Sequence, residues 1–140
     1  MRLPIGGVET METSGPVPAR SARILIVDDD ADVRLVIRRM LEQDGYDIVE
    51  AGDGREALAL AGQKHCDMLI TDLIMPEQEG IETIQTFHQQ YPQVKIIAIS
   101  GAYGTDYLRI AKHLGAHEVM QKPLRLEAVL SAVSRLLRGN

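Results

Sequence analysis

Acidic residues stand directly after two apolar segments of this sequence. Three aspartates, Asp28, Asp29 and Asp30, follow the segment ILIV, and Asp72 follows the segment MLIT. Two like charges 4 Å apart repel by about 4 kcal/mol at an effective dielectric constant of 20, so gathered carboxylates need a compensating cation. Mg²⁺ suits a site in which two carboxylates share the ion with water and a substrate phosphate. These residues therefore predict a magnesium site.

A hydroxyl and an amino group follow two later apolar segments. Ser100 ends the segment IIAIS, and Lys122 follows the weaker segment HEVMQ. A serine hydroxyl can donate a hydrogen bond to a phosphoryl oxygen, and a lysine ammonium is a mobile point charge suited to phosphate. Aspartate, hydroxyl and lysine around Mg²⁺ form a constellation for phosphoryl transfer, in which positioning and charge neutralisation supply most of the catalysis.

Five apolar segments alternate with five stretches of helical periodicity, which predicts a (βα)5 order of strands and helices. Such alternation implies crossover connections and a parallel sheet with helices on both faces. The first, third and fourth segments are continuously apolar, which is typical of strands buried on both faces, whereas the second and fifth are mixed, which is typical of edge strands. We therefore predict an α/β, doubly wound, flavodoxin-like fold with a parallel five-stranded sheet of order 2-1-3-4-5. The predicted strands lie at 24–27, 47–49, 68–71, 96–99 and 117–121, and the later helices at 55–64, 104–114 and 124–138.

The predicted strand order brings the acidic residues together. Its topological switch point lies between strands 1 and 3, and ligands bind at the carboxyl ends of the strands beside such a point. Asp28, Asp29 and Asp72 lie at those ends, and a strand spacing of about 4.8 Å would bring their carboxylates close to one another. Asp30 is better placed to cap the first helix, because an aspartate there accepts hydrogen bonds from free backbone N–H groups.

The composition is that of one globular domain. Hydrophobic residues make up 45% of the 140 residues and charged residues 25%, which excludes wholesale disorder. The net charge of −5 argues against a nucleic-acid surface. No apolar run approaches the roughly 20 residues that span a bilayer, and the single cysteine, Cys66, excludes an intramolecular disulfide. We predict a cytoplasmic protein with a flexible leader at 1–21 and one domain at 22–140.

Two histidines are spaced four residues apart, as in a helical metal site. Gly115 ends the predicted helix between His113 and His117, so the two rings do not share a helical face. We predict that both are surface residues.

Four segments, ILIVDDD, LITDLIMPEQEG, AISG and MQKPL, resemble in order and spacing the receiver domain of two-component response regulators. The resemblance covers residues 22–138. It implies a signalling module that accepts a phosphoryl group from a histidine kinase or a phosphotransfer protein and then changes conformation. Such a module is not an enzyme in the usual sense, since it catalyses only its own phosphorylation and dephosphorylation.

The resemblance implies a role for each residue of the predicted site. Asp72 matches the phosphoacceptor, and Lys122 matches the family's invariant lysine, which a cis peptide joins to the next proline. Asp29 matches the direct Mg²⁺ ligand, Asp28 its companion through water, and the backbone carbonyl of Ile74 a further ligand. Ile74 is apolar where many receivers carry a polar residue, which predicts slow loss of the phosphoryl group.

The switch that the resemblance implies is altered in this sequence. Ser100 matches the switch hydroxyl, but Val119 stands where receivers usually carry tyrosine or phenylalanine. A valine is short and stiff about χ1 and cannot swing a ring between buried and exposed positions. We therefore expect rearrangement of residues 101–107, with Tyr103 or Tyr107 supplying the moving aromatic surface. A downstream protein would dock on the face formed by helix 4, strand 5 and helix 5, without direct contact with nucleic acid or a membrane, and a homodimer is left open.

Two alternatives remain at this stage. A haloacid-dehalogenase-like phosphatase also combines an aspartate nucleophile after strand 1 with serine, lysine and Mg²⁺, although Arg34 occupies the fifth place of its D-x-D-x-T/V pattern. Replacement of Asp72 would abolish labelling in a receiver, and replacement of Asp28 in a phosphatase. The other alternative is the receiver part of a longer regulator with an output domain. We favour a stand-alone receiver, because the chain ends two residues after its last predicted helix.

Overall fold

The computed structural model describes residues 22–73, 79–101 and 105–138, and over these residues five strands alternate with five helices. The strands are β1 (Arg23–Val27), β2 (Asp47–Ala51), β3 (Met68–Asp72), β4 (Lys95–Ser100) and β5 (Glu118–Gln121). The helices are α1 (Ala31–Glu42), α2 (Gly54–Gln63), α3 (Glu79–Gln90), α4 (Thr105–Leu114) and α5 (Leu126–Leu137). The predicted leader at 1–21 lies outside the described residues.

The strands form one parallel sheet of order β2-β1-β3-β4-β5, which confirms the predicted doubly wound topology. Every residue of β3 is buried, whereas β5 is only partly buried along its length. This difference matches the expectation that continuous apolar segments lie in the middle of the sheet and mixed ones at its edges. In register, Val27 stands beside Thr71, and Asp72 stands beside Ile99.

The sheet is covered by a hydrophobic core on each face. One core packs residues such as Ile26 and Ile70 against α1 and α5, and the other packs residues such as Leu69 against α2, α3 and α4. Successive residues of a strand point to opposite faces, so β3 contributes to both cores. Its end is therefore held from both sides. Among the described residues, no helix is long and apolar enough to cross a membrane.

Two helices begin at aspartate caps. The Asp30 side chain accepts a hydrogen bond from the Asp32 backbone N–H at 2.9 Å, as predicted. The Asp53 side chain likewise accepts from the Glu56 N–H at 2.7 Å. Gly52, Asp53 and Gly54 form a sequence typical of a turn, and Asp53 is also the N-cap of α2. Both caps satisfy backbone donors that have no partner within the helix.

The start of α3 lies tightly against the end of β3. A Cβ atom on Gly80 would clash with the carbonyl oxygen of Asp72 and would stand 2.7 Å from the Cα of Leu73. The obstacle is backbone, which cannot rotate away as the end of a side chain can. Glycine at this position is therefore what permits the close approach.

Two apolar residues of the predicted helical stripes are exposed. Val36 in α1 is 52% exposed and Leu126 at the start of α5 is 41% exposed. Both recur at helical spacing with buried neighbours such as Ile37 and Val129. The stripes are wider than the contact each helix makes with the sheet.

Candidate phosphoryl-transfer and metal site

The carboxylates of Asp28, Asp29 and Asp72 meet at the carboxyl ends of β1 and β3. One oxygen from each lies within 4.8 Å of the others. Asp28 and Asp72 are buried, with 3% and 6% of their surfaces exposed, whereas Asp29 is exposed. The cluster is thus buried where Asp28 and Asp72 leave the sheet and open to solvent at Asp29.

Asp28 is held by contacts to both of its oxygens. Its Oδ1 accepts a hydrogen bond from the Asp30 N–H at 2.8 Å, and its Oδ2 lies 3.5 Å from the Lys122 Nζ. Burial raises the pKa of Asp28 to about 6, and the negative charge of Asp72 adds to the rise, while the Asp30 hydrogen bond and Lys122 oppose it. The site therefore resists ionisation of Asp28 unless positive charge is supplied.

Lys122 bridges the two buried acids. Its Nζ lies 3.5 Å from the Oδ2 of Asp28 and also 3.5 Å from the Oδ2 of Asp72. Distances this long are at the limit of hydrogen bonding, so the ammonium shares its charge between the acids without pairing closely with one. The backbone of Lys122 is held beside β4, because its N–H donates to the Ser100 carbonyl at 2.8 Å. The peptide from Lys122 to Pro123 is cis, as expected.

Ser100 ends β4 and is fully buried. Its register neighbour on β5 is Gln121, so the hydroxyl-bearing residue and Lys122 lie on adjacent strand ends. Asp72 pairs with Ile99, which places Ser100 one residue beyond the aspartate along the neighbouring strand. Asp72, Ser100 and Lys122, which the sequence predicts to act in phosphoryl transfer, thus lie together at the carboxyl ends of the strands.

The cluster fits a hard divalent cation. It offers three carboxylate oxygens and neither sulfur nor imidazole, which is the donor chemistry that Mg²⁺ selects. The raised pKa of Asp28 reflects burial and repulsion that a bound cation would offset. Asp29, the exposed member, leaves an open side on which water and a phosphoryl group could complete the coordination.

Three predicted residues contribute differently. Ile74 and Tyr103 lie outside the described residues, as do positions 102–104 of the expected 101–107 rearrangement. Val119 is partly buried on β5, beside a hollow of about 400 Å³ between α4 and β5. Arg109, Lys112 and His113 line the same hollow, so this face carries positive charge.

His117 is not the surface residue that the sequence suggested. It is partly buried, and its Nδ1 accepts a hydrogen bond from the Ile96 backbone N–H at 3.0 Å. Burial lowers the pKa of His117, and the neighbouring Lys95 and His88 lower it further. The ring therefore accepts a backbone hydrogen bond immediately before the edge strand β5.

The sequence reasoning also missed an arginine beside the acids. The Arg34 Nη1 donates to the backbone carbonyl of Asp28 at 2.5 Å, and its Nε donates to the Glu50 Oε1 at 2.9 Å. In the sequence, Arg34 had served only as evidence against a phosphatase motif. The signal available was weak: a basic residue one turn into the first helix and an acidic residue on the mixed second strand.

Comparison with known proteins agrees with this geometry. The family model of the response regulator receiver domain matches residues 24–134. The response regulator MprA of Mycolicibacterium vanbaalenii is 34% identical over 116 residues, which cover 83% of this chain and 50% of that protein. The PhoP regulator of alkaline phosphatase synthesis from Bacillus subtilis is 31% identical over 116 residues, covering 83% and 48%. The chain thus spans about half the length of these relatives.

Solved structures give the same result. The CheY-like receiver domain protein of Methanospirillum hungatei superposes with a TM-score of 0.80 at 27% identity, covering 85% of this chain and 95% of that one. Chemotaxis protein CheY4 of Vibrio cholerae superposes with a TM-score of 0.76 at 31% identity, covering 82% and 98%. Sequence, fold and the acidic strand ends all agree, and the chain belongs to the receiver domain family of two-component response regulators.

Proposed function

We propose that Asp72 is the phosphoacceptor of this receiver and that its donor is a phosphohistidine of a sensor histidine kinase or a phosphotransfer protein. The observation that carries the proposal is the position of Lys122, 3.5 Å from both Asp72 and Asp28, above a cluster of three carboxylates. An Oδ atom of Asp72 attacks the phosphorus. The new P–O bond forms as the P–N bond breaks, and the electron pair leaves with the imidazole nitrogen.

Asp29 and Asp72 would bind Mg²⁺ directly, with Asp28 contributing through water and the Ile74 carbonyl as a further ligand. The exposure of Asp29 and the burial of Asp28 support this division, because the exposed carboxylate faces the side from which ion and phosphodonor approach. When bound, Mg²⁺ supplies positive charge for the phosphoryl oxygens and for the acceptor. The same positive charge would offset the repulsion between the carboxylates.

Lys122 and Ser100 would act on the phosphoryl group after transfer. The ammonium of Lys122 neutralises a phosphoryl oxygen that arrives between the two acids, and the Ser100 hydroxyl donates a hydrogen bond to another. Drawing Ser100 toward the acceptor would move the end of β4 and, through the Lys122 N–H to Ser100 bond, the end of β5. Ser100, Val119 and Tyr103 together would form the switch.

The downstream partner would dock on the α4–β5–α5 face. The hollow lined by Arg109, Lys112 and His113 supports a partner that presents acidic side chains there. We also propose that the protein functions in the cytoplasm and that this domain contacts neither nucleic acid nor a membrane directly. A homodimer belongs to the proposal as well. The proposal also allows an output domain that follows the receiver, since the relatives are about twice as long as this chain.

The phosphatase alternative is less well supported. It would make Asp28 the nucleophile, but one oxygen of Asp28 is engaged by the Asp30 N–H, and burial raises its pKa to about 6. A carboxylate whose oxygens are held by a backbone N–H and by the Lys122 ammonium is a poorer nucleophile than a free one.

Intact-mass analysis after incubation with acetyl phosphate tests the proposal. The wild type and the exposed control Asp32→Asn should gain one phosphoryl group in Mg²⁺ and none in EDTA, and Asp72→Asn should gain none. A Mg²⁺-dependent adduct that persists in Asp72→Asn but vanishes in Asp28→Asn would contradict the proposal and favour the phosphatase.

A further inference from the structure

We propose that Arg34 is a positioning residue of the acid cluster, which holds the peptide between Asp28 and Asp29 in the orientation that binds the metal. This inference rests on the proposed magnesium site and adds to it a residue that touches neither the ion nor the phosphoryl group. The contact that carries it is the hydrogen bond from the Arg34 Nη1 to the Asp28 carbonyl at 2.5 Å.

The carbonyl of Asp28 belongs to the peptide that joins two of the three acids. A change in ψ of Asp28 or in φ of Asp29, the two torsions beside that peptide, moves the Asp29 carboxylate relative to the Asp28 carboxylate. The N–H on the other side of Asp28 is fixed, because it donates to the Ala51 carbonyl at 3.2 Å, and the Asp28 carboxylate is fixed by the Asp30 N–H at 2.8 Å. Arg34 supplies the remaining constraint, on the side that leads to the exposed Asp29.

The guanidinium is itself anchored. Its Nε donates to the Glu50 Oε1 at 2.9 Å, and the other oxygen of Glu50 accepts from the Arg38 Nη1 at 2.5 Å. Burial acts to raise the pKa of Glu50, but the hydrogen bonds from Arg38 and Arg34 outweigh it and lower that pKa. Glu50 is therefore an ionised anchor on β2, and the planar group of Arg34 spans from it to the β1–α1 loop.

The contacts favour positioning over a purely electrostatic role. A positive charge near the site would weaken cation binding, so removing it should tighten the binding of Mg²⁺ if charge were its main contribution. If positioning dominates, removal loosens the peptide and weakens binding. Residues that orient metal ligands typically change metal affinity by about 10- to 100-fold when replaced. The sign of the change thus separates the two roles.

Lysine and methionine variants make the test sharp. Arg34→Met removes the charge and both hydrogen bonds, whereas Arg34→Lys keeps the charge but loses the planar pair of donors. Arg38→Met is the matched control, because Arg38 lies one turn further along α1 and binds the same Glu50 without contacting Asp28. Each full-length protein is titrated with MgCl₂ by calorimetry, and its urea midpoint is measured in EDTA. Acetyl phosphate labelling at saturating Mg²⁺ follows.

We expect Arg34→Met and Arg34→Lys each to weaken Mg²⁺ binding about tenfold, and Arg38→Met to change it less than about twofold, even if all three lose similar stability in EDTA. Labelling of the Arg34 variants should recover at saturating Mg²⁺. Equal affinities for Arg34→Met and Arg38→Met, or tighter binding by Arg34→Met, would overturn the inference alone. Absence of Mg²⁺ binding by the wild type would contradict the proposed site and the inference with it. If Arg34→Met fails to fold, Arg34→Lys decides by the same comparison.

Discussion

Asp28 lies close to two other carboxylates, those of Asp29 and Asp72, and this crowding should lower the stability of the protein when no metal is bound. In the Asp28→Asn variant, one of the three charges is removed while the amide oxygen can still accept the Asp30 N–H bond. We expect this variant to be more stable than the wild type in EDTA at about pH 7.5, although it loses a residue of the proposed metal site.

The magnitude follows from the pKa and from the distances. A rise of the Asp28 pKa from 3.8 to about 6 corresponds to about 3 kcal/mol once the group is ionised. Two like charges 4.8 Å apart, the span of the cluster, repel by about 3.5 kcal/mol at an effective dielectric constant of 20. The pKa rise already includes the opposing attraction of Lys122, and burial of the asparagine amide offsets part of the gain, so a net increase of about 1–2 kcal/mol in the free energy of unfolding is expected.

The sign of the pH dependence follows from linkage. Because the pKa of Asp28 is higher in the folded protein than in the unfolded chain, the folded state binds more protons between about pH 4 and pH 6. This acid therefore lowers wild-type stability as pH rises through that window, and the full cost is present above it. The advantage of Asp28→Asn should be absent near pH 4 and complete near pH 7.

Urea denaturation in EDTA at several pH values measures the effect, with Asp32→Asn, an exposed residue of α1, as the control. Adding about 10 mM Mg²⁺ should stabilise the wild type far more than Asp28→Asn, because the ion binds only the native site. The reasoning is refuted if Asp28→Asn is no more stable than the wild type at about pH 7.5, or if the difference between them does not change with pH.

Three further predictions concern residues outside the acid cluster. Because the pKa of His117 is lowered in the folded state, stability should fall as pH drops below about 6.5, and His117→Gln should remove this component from the urea midpoints. Ile74→Asn should speed hydrolysis of the phosphorylated protein by admitting and orienting water, and an unchanged rate of phosphate release would count against this role. Beryllofluoride should alter amide exchange at 101–107, and Tyr103→Ala with Tyr107→Ala should impair partner binding more than Val119→Ala does; changes confined to β5 would contradict this switch.

Much of the site was predictable because parallel strands end at one edge of a sheet. Each of Asp28, Asp72, Ser100 and Lys122 follows an apolar segment, and the strength of those segments was enough to order the strands. Residues that directly follow different parallel strands therefore lie close together in space, although they are far apart in the chain.

The contacts made by helices were harder to predict. The pairing of Arg34 with Glu50 and with the Asp28 carbonyl depends on the rotation of α1 about its axis and on its height above β2. The same rotation leaves Val36 exposed, although its spacing fits the apolar stripe. Hydrophobic periodicity identifies the buried face of a helix only to within about one residue. An error of one residue displaces a side chain by more than the length of a hydrogen bond, so periodicity does not predict such contacts.

The close approach of Gly80 to the carbonyl of Asp72 has a consequence for protein engineering. A designer who grafts the acids and the lysine onto the strand ends of another parallel sheet would copy every group that performs the chemistry. The graft would still fail if the second residue of the following helix, the position of Gly80, were anything other than glycine, because a side chain there would push the strand end and the acceptor out of place. The portable unit is therefore the acceptor strand together with the first turn of the next helix, including a residue that contributes only by having no side chain.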